Sequence, residues 1–334
     1  MNDIVKSILA AVLSMLFFLG LTEVAVRLWT GFNTFYDIEM SRYANELKLP
    51  DDDPKIGHVH RPGGRAHLMD VDVEINSVGL RDREYPVERG AARRIAFLGD
   101  SLTLAWGVSK DEAFETRLEA ALSTERPTEV LNFGTGNYNT EQQVHHFLER
   151  GIRYEPDHVV VFYFINDAEP TPVQSRWGFL GHSRAITFFW SRIHATIGNT
   201  IEGQSFQDFY AGLYDDDRAG WRATRDAFAE LARVCRERGI GLQVVLLPEL
   251  HDLVDYPFLD EHAKVRGHLE GLGVESLDLF PFFEGESDPH RLWVSLDDAH
   301  PNSTAHAMIA EYSLDFIAQA FERQAAAIER EGMQ

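Results

Sequence analysis

Arg93-Arg94-Ile95-Ala96-Phe97-Leu98-Gly99-Asp100-Ser101-Leu102 is the stretch on which the reading of this chain turns. Ile95 to Leu98 is a short uninterrupted apolar run, the pattern of a strand buried on both faces, and Gly99 punctuates its end. Ser101 is therefore expected where a strand ends and a helix begins, at the ligand-facing edge of an α/β sheet. A serine hydroxyl is a poor nucleophile until an imidazole takes its proton and a carboxylate holds that imidazole in the right tautomer. Far along the chain, Asp297-Asp298-Ala299-His300-Pro301-Asn302 offers both groups. Asp297 precedes His300 by three residues and is expected to reach the far nitrogen of its ring. Only a folded domain could bring Ser101 to them.

Each motif alone reads more readily as punctuation, the first as a tight turn with a helix cap and the second as a surface loop. Two intervening segments change that balance. They are Val130-Leu131-Asn132-Phe133-Gly134-Thr135-Gly136-Asn137-Tyr138-Asn139-Thr140 and Val159-Val160-Val161-Phe162-Tyr163-Phe164-Ile165-Asn166-Asp167, each closing an apolar run. With these four segments, spread over about residues 93–320, the chain resembles the SGNH hydrolase superfamily of GDSL-type esterases and lipases. The resemblance implies Ser101 as nucleophile and Asp297 and His300 as the acid–base pair. It also implies an oxyanion hole made by the backbone N–H groups of Ser101 and Asn137 and the side-chain amide of Asn166. Asn137 stands where the family usually carries glycine, with Gly136 one residue earlier as the alternative donor. Asparagine is among the few residues that accept a left-handed backbone. Phe164 replaces another family glycine, and its ring is expected to narrow the pocket.

The implied activity is hydrolysis of an ester through an acyl-enzyme, with no metal and no organic cofactor. The implied substrate is a small-molecule or polysaccharide ester, with deacetylation of a cell-surface or secreted polysaccharide preferred. An O-acyltransferase using the same triad, and a catalytically silent glycan-binding protein of the same fold, are the alternatives.

Around the motifs, strands are expected at 93–98, 128–132, 158–165, 240–247 and 274–279. Helices are expected at 112–123, 140–150, 220–238, 258–271 and 303–323. This alternation predicts an α/β domain over 91–325, a three-layer flavodoxin-like parallel sheet with helices on both faces. Pro301 and Asn302-Ser303 are placed to start the last helix. The insertion 168–220 is long for a compact domain and rich in aromatics: Trp177, Phe179, Phe188, Phe189, Trp190, Phe206, Phe209, Tyr210 and Tyr214. Following directly on Asn166, it is expected either to overhang the site or to cover the sheet with an accessory helix over 184–197.

Ahead of the domain, residues 1–30 read as an N-terminal transmembrane helix and 31–90 as a linker with a short β extension. Ser7 to Thr22 carries no charge, and extension through Val26 approaches the ~20 residues that span a bilayer. Glu23-Val24-Ala25 is ill suited to signal cleavage, so an uncleaved signal anchor is expected. Lys6 and Arg27 lie on either flank, and the charge rule leaves the orientation open. Resemblance to anchored relatives implies a catalytic domain outside the cytoplasmic membrane, periplasmic or at the cell surface. The alternation of Leu68, Val71, Val73 and Ile75 predicts a strand pair. Residues 75–82 look like a segment preceding the catalytic domain in many anchored relatives. His58, His60 and His67 read as surface histidines, because a zinc site needs three or four converging ligands.

Composition narrows the partners. A formal charge of −22 over 334 residues argues against nucleic acid, whose phosphates would be repelled. With Cys235 the only cysteine, no disulfide can form within the chain, and the thiol is expected to be buried and inert.

Overall fold

The computed structural model describes residues 3–172, 181–201 and 205–332; Trp177 and Phe179 of the aromatic insertion lie outside them. The chain opens with α1 (Asp3–Trp29) and α2 (Tyr36–Leu47), followed by the short pairs β1 (Lys48–Pro50) with β2 (His58–His60) and β3 (Arg65–Leu68) with β4 (Val71–Glu74). Then come β5 (Arg93–Leu98), α3 (Phe114–Leu122), β6 (Thr128–Asn132), α4 (Thr140–His146) and β7 (His158–Tyr163). The insertion contributes α5 (Arg184–Ile201) and α6 (Phe206–Gly212). The chain continues through α7 (Ala219–Arg238), β8 (Gly241–Leu246), α8 (Leu259–Gly271), β9 (Glu275–Asp278) and α9 (Phe280–Phe283). It closes with β10 (Trp293–Ser295), β11 (Asp298–Pro301) and α10 (Ser303–Gly332).

Strands β5 to β9 form one sheet in the order β6-β5-β7-β8-β9, every neighbouring pair parallel. Parallel strands covered by helices are buried on both faces, which is why Val159 to Tyr163 is an unbroken apolar run. Right-handed crossovers send α3 to one face and α4 to the other, because the chain reverses direction across the sheet after β6. Accordingly α3 packs with α10, and α4 with α7. The reversal opens a crevice at the C-terminal edge of β5 and β7, where ligands of such sheets bind.

Three differences from the sequence reading matter. No helix begins at Ser101; residues 101–107 are a chain of turns and α3 starts only at Phe114. The buried Arg81 guanidinium donates to the carbonyls of Leu104, Ala105 and Val108 at 2.8, 2.6 and 2.8 Å and so holds this run of turns together. The region 31–90 contains a helix, α2, and packs into the domain. Tyr43, Leu47, Leu68, Val73 and Ile75 share one core with Leu104 and Trp106 of the turns after Ser101. The accessory helix exists as α5, but it packs on α1 and α2.

Helix α1 is long and apolar enough to cross a bilayer, with a mean hydropathy of 2.3 over its best window and Val26 its one buried residue. Cys235 is buried, and burial pushes its thiol up to about 12.

Candidate active site

Each strand of the crevice delivers one part of the site from its C-terminal end. After β5, the Ser101 hydroxyl lies 2.8 Å from His300 Nε2. His300 comes from the hairpin of β10 and β11, which is tied down from both sides. Asn302 caps α10 by accepting from the N–H groups of Thr304 and Ala305 at 3.0 and 3.2 Å. Its amide donates back to the carbonyls of Arg291 and Trp293 at 2.8 and 3.0 Å.

The carboxylate on the far side of the ring belongs to Asp298, not to Asp297. Asp298 Oδ1 accepts from His300 Nδ1 at 2.5 Å and from the His300 N–H at 3.1 Å, and Oδ2 accepts from Trp106 Nε1 at 2.9 Å. Asp297 lies at the cavity wall and accepts from Ser295 Oγ at 2.5 Å. The reason is periodicity: Asp298–Pro301 is extended, so residues two apart share a face and a residue three away points to the other. Burial works to raise the Asp298 pKa, but the His300 and Trp106 donors together hold it below the usual carboxylate value.

After β6, Asn137 occupies the left-handed backbone anticipated for it, with φ 64°. The N–H of Gly136, the alternative donor, is committed to the Tyr43 hydroxyl at 2.9 Å. This loop is seated closely on the turns after Ser101. A Cβ at Gly134 would lie 2.4 Å from the Leu104 nitrogen, and the Asn132 amide donates to the Thr103 carbonyl at 2.8 Å.

The N-terminal extension holds the loop from the other side. Lys48 Nζ donates to the Gly136 carbonyl at 2.7 Å and to Asn137 Oδ1 at 2.8 Å. His58 bonds the Gly136 carbonyl at 3.1 Å, and His60 bonds the Tyr43 hydroxyl at 2.6 Å. Burial draws the Lys48 ammonium down to about 7 and both imidazoles to about 3. Of the three expected surface histidines, His67 alone is exposed; His60 is buried and His58 partly so. Among the described residues no three His, Cys, Asp or Glu side chains converge as a metal site.

After β7, Asn166 lines the cavity and its amide is a partner of the buried Asp100 carboxylate, whose pKa burial raises. A primary amide carries two N–H donors, so one remains for a ligand. Asp167 is buried next to it, and burial, aided by the Asp100 charge, drives its pKa well up.

The cavity that Ser101, Asn137, Asn166 and His300 share measures about 260 Å³. Phe164 is part of its wall, as expected, with Tyr36 from α2, Phe206 and Tyr210 from α6, and Glu249 and His251 from the loop after β8. The insertion thus divides. Phe206 and Tyr210 reach the cavity, whereas Phe188 packs against Val26 and Ile38, and Tyr214 is buried on Tyr163.

The reading from sequence missed Asp298, Tyr36, Tyr43, Lys48, Arg81, Trp106 and the Glu249–His251 pair. Most of their contacts are between segments remote in the chain, or depend on a local strand that the chain between Trp293 and Pro301 does not advertise; the Glu249–His251 contact is local, and folding brings the pair to the cavity.

The GDSL-like Lipase/Acylhydrolase family matches residues 97–308, more than half of the chain. No curated protein matches it. Among solved structures it is similar to LAE5, an alpha/beta hydrolase enzyme from the metagenome of Lake Arreo, Spain, at 17% identity over 69% of this chain and 96% of that one, TM-score 0.44. It is also similar to TesA, at 14% identity over 68% and 99% of the two chains, TM-score 0.45. A third is a two-domain esterase, CEX, active on acetylated mannans, at 16% identity over 69% and 50%, TM-score 0.45. With the matched stretch running from the serine strand to the helix behind His300, the chain belongs to the GDSL-like lipase/acylhydrolase family, hydrolases acting on ester bonds.

Proposed function

We propose that the chain is a membrane-anchored serine esterase in which Ser101, His300 and Asp298 are the triad, acting on a carbohydrate ester outside the cytoplasmic membrane. The observation that carries the triad is the continuous path from Ser101 Oγ to His300 Nε2 at 2.8 Å and from His300 Nδ1 to Asp298 at 2.5 Å. His300 takes the serine proton as Oγ attacks the ester carbonyl, and Asp298 stabilises the resulting imidazolium. The N–H groups of Ser101 and Asn137 and the Asn166 amide receive the oxyanion. His300 then protonates the departing alcohol, and the same ring deprotonates the water that releases the acid from Ser101. Strand order 2-1-3-4-5, counting from β5, supports a flavodoxin-like reading of the sheet. The length and hydropathy of α1 support the anchor, and family resemblance supports the carbohydrate substrate.

The test is incubation of the full-length protein with 4-nitrophenyl acetate, with and without a sugar acceptor, followed by identification of the products. Ser101-dependent release of acetate supports the esterase. Acyl transfer to the sugar would make the protein an O-acyltransferase, and turnover indifferent to Ser101→Ala would end the reading. Retention in membranes through a high-salt wash, with the terminus at or beside Met1, is the outcome expected of the anchor.

A further inference from the structure

The cavity contains a second acid–x–histidine clamp that the triad does not use. Glu249 and His251 repeat the geometry of Asp298 and His300. The buried Glu249 carboxylate accepts from the His251 N–H at 3.0 Å and from the same ring's Nδ1. Tyr256 fixes the clamp by accepting from the Glu249 N–H at 3.0 Å, and Trp293, packed on the His251 ring at 4.7 Å, donates to the Leu250 carbonyl at 2.9 Å. Among the described residues no nucleophile is bonded to this second imidazole. Its side chain is 52% exposed, it lines the same cavity as Ser101, and Nδ1 is already taken, so Nε2 is the atom left for a ligand. The Glu249 hydrogen bond raises the His251 pKa, favouring a ring that donates. Phe206 lies 5.4 Å from His251 and 4.7 Å from Tyr210, and both of these aromatic rings line the cavity.

A fixed donor beside aromatic faces suits a ring that is apolar on its face and carries hydroxyls on its edge. An acyl chain offers that donor no acceptor, whereas a sugar hydroxyl does. We propose that His251, held by Glu249 and flanked by Phe206 and Tyr210, is the subsite for the alcohol part of the ester, and that this alcohol is a glycosyl unit. His251 Nε2 hydrogen-bonds one of its hydroxyls while the aromatic rings cover its face. This deepens the esterase reading and rests on it for the chemistry, though not for binding.

The experiment compares kcat/KM for acetylated xylotriose with kcat/KM for 4-nitrophenyl acetate, whose alcohol has no sugar hydroxyl. In His251→Gln the ratio of the two should fall tenfold or more, mainly through KM for the sugar ester. Phe206→Ala, at a ring that is 49% exposed, should move the ratio the same way. An unchanged ratio, or equal losses on both substrates, overturns the proposal. A second arm titrates the tryptophan fluorescence of full-length Ser101→Ala with acetylated xylotriose. Saturable binding weakened at least tenfold by adding His251→Gln is expected, and no saturable binding overturns the subsite. Because this arm needs no turnover, failure of the esterase reading leaves the subsite separately judged.

Discussion

Asp298 and His300 are joined twice, through the ring at 2.5 Å and through the backbone N–H at 3.1 Å, so one carboxylate sets both the tautomer and the position of the imidazole. Replacing Asp298 with asparagine should lower kcat by about 10⁴, the scale seen when a triad acid loses its charge and the wrong tautomer is favoured. Asp297→Asn should cost at least a hundredfold less than that. Steady-state rates on 4-nitrophenyl acetate decide it, and equal losses would return the role to Asp297.

Asn166 and Asn137 are expected to respond in opposite ways to truncation. Asn166→Ala removes a side-chain donor and should reduce kcat by about 10² to 10³. Asn137→Gly keeps the backbone N–H and the φ of 64°, so it should keep most of the activity, losing only the Lys48 contact. Asn137→Val, whose branched side chain resists that backbone, should be severely impaired. A loss in Asn137→Gly equal to that in Asn166→Ala would mean the side chain acts directly.

Arg81 holds the serine turn by its carbonyls. Arg81→Met would remove the donor from three carbonyls, of which only that of Ala105 keeps a backbone partner, the Val108 N–H, and should destabilise the fold by about 3 kcal/mol or more, at the scale of a broken buried polar network. Thermal melting measures this. Arg81→Lys should recover only part of the loss, because an ammonium is not the planar fork that reaches Leu104, Ala105 and Val108 together.

Burial lowers the His60 pKa from 6.5 to about 3, so below pH 6.5 the unfolded chain takes up a proton there that the folded chain refuses. The stability owed to neutral His60 is therefore fully present above pH 6.5 and is lost as pH falls towards 3. The slope is about 1.4 kcal/mol per pH unit for one such group. His60→Gln, which lacks this titration, should be less stable than wild type at pH 7.5, and the gap should close as the pH drops to 4. Denaturant melts at matched pH measure it, and a constant gap would refute the assignment.

The sequence by itself determined the parallel α/β core. Ile95 to Leu98, the Val130-Leu131 pair and Val159 to Tyr163 lie in strands because apolar runs of this kind must be buried on both faces. It also identified Ser101 and His300 as candidate partners, and it placed Asn137 in a left-handed turn that few residues accept. The strands at 93–98 and 128–132 have the expected limits, and the expected helix over 112–123 is shorter by a few residues. Helix α2 was legible in the stripe Tyr36, Met40, Tyr43, Leu47, spaced for one helical face, but the segment is polar overall and gives a weak signal.

Tertiary structure alone decided which aspartate serves His300. Spacing along a chain specifies a face only once the local period is known, and 298–301 is a strand because β10 pairs with it. It likewise decided that residues 36–81 support the Asn137 loop and the serine turn. Lys48, His60 and Arg81 act on groups far away in sequence, and nothing local to a lysine, a histidine or an arginine records which carbonyl or hydroxyl folding will bring to it.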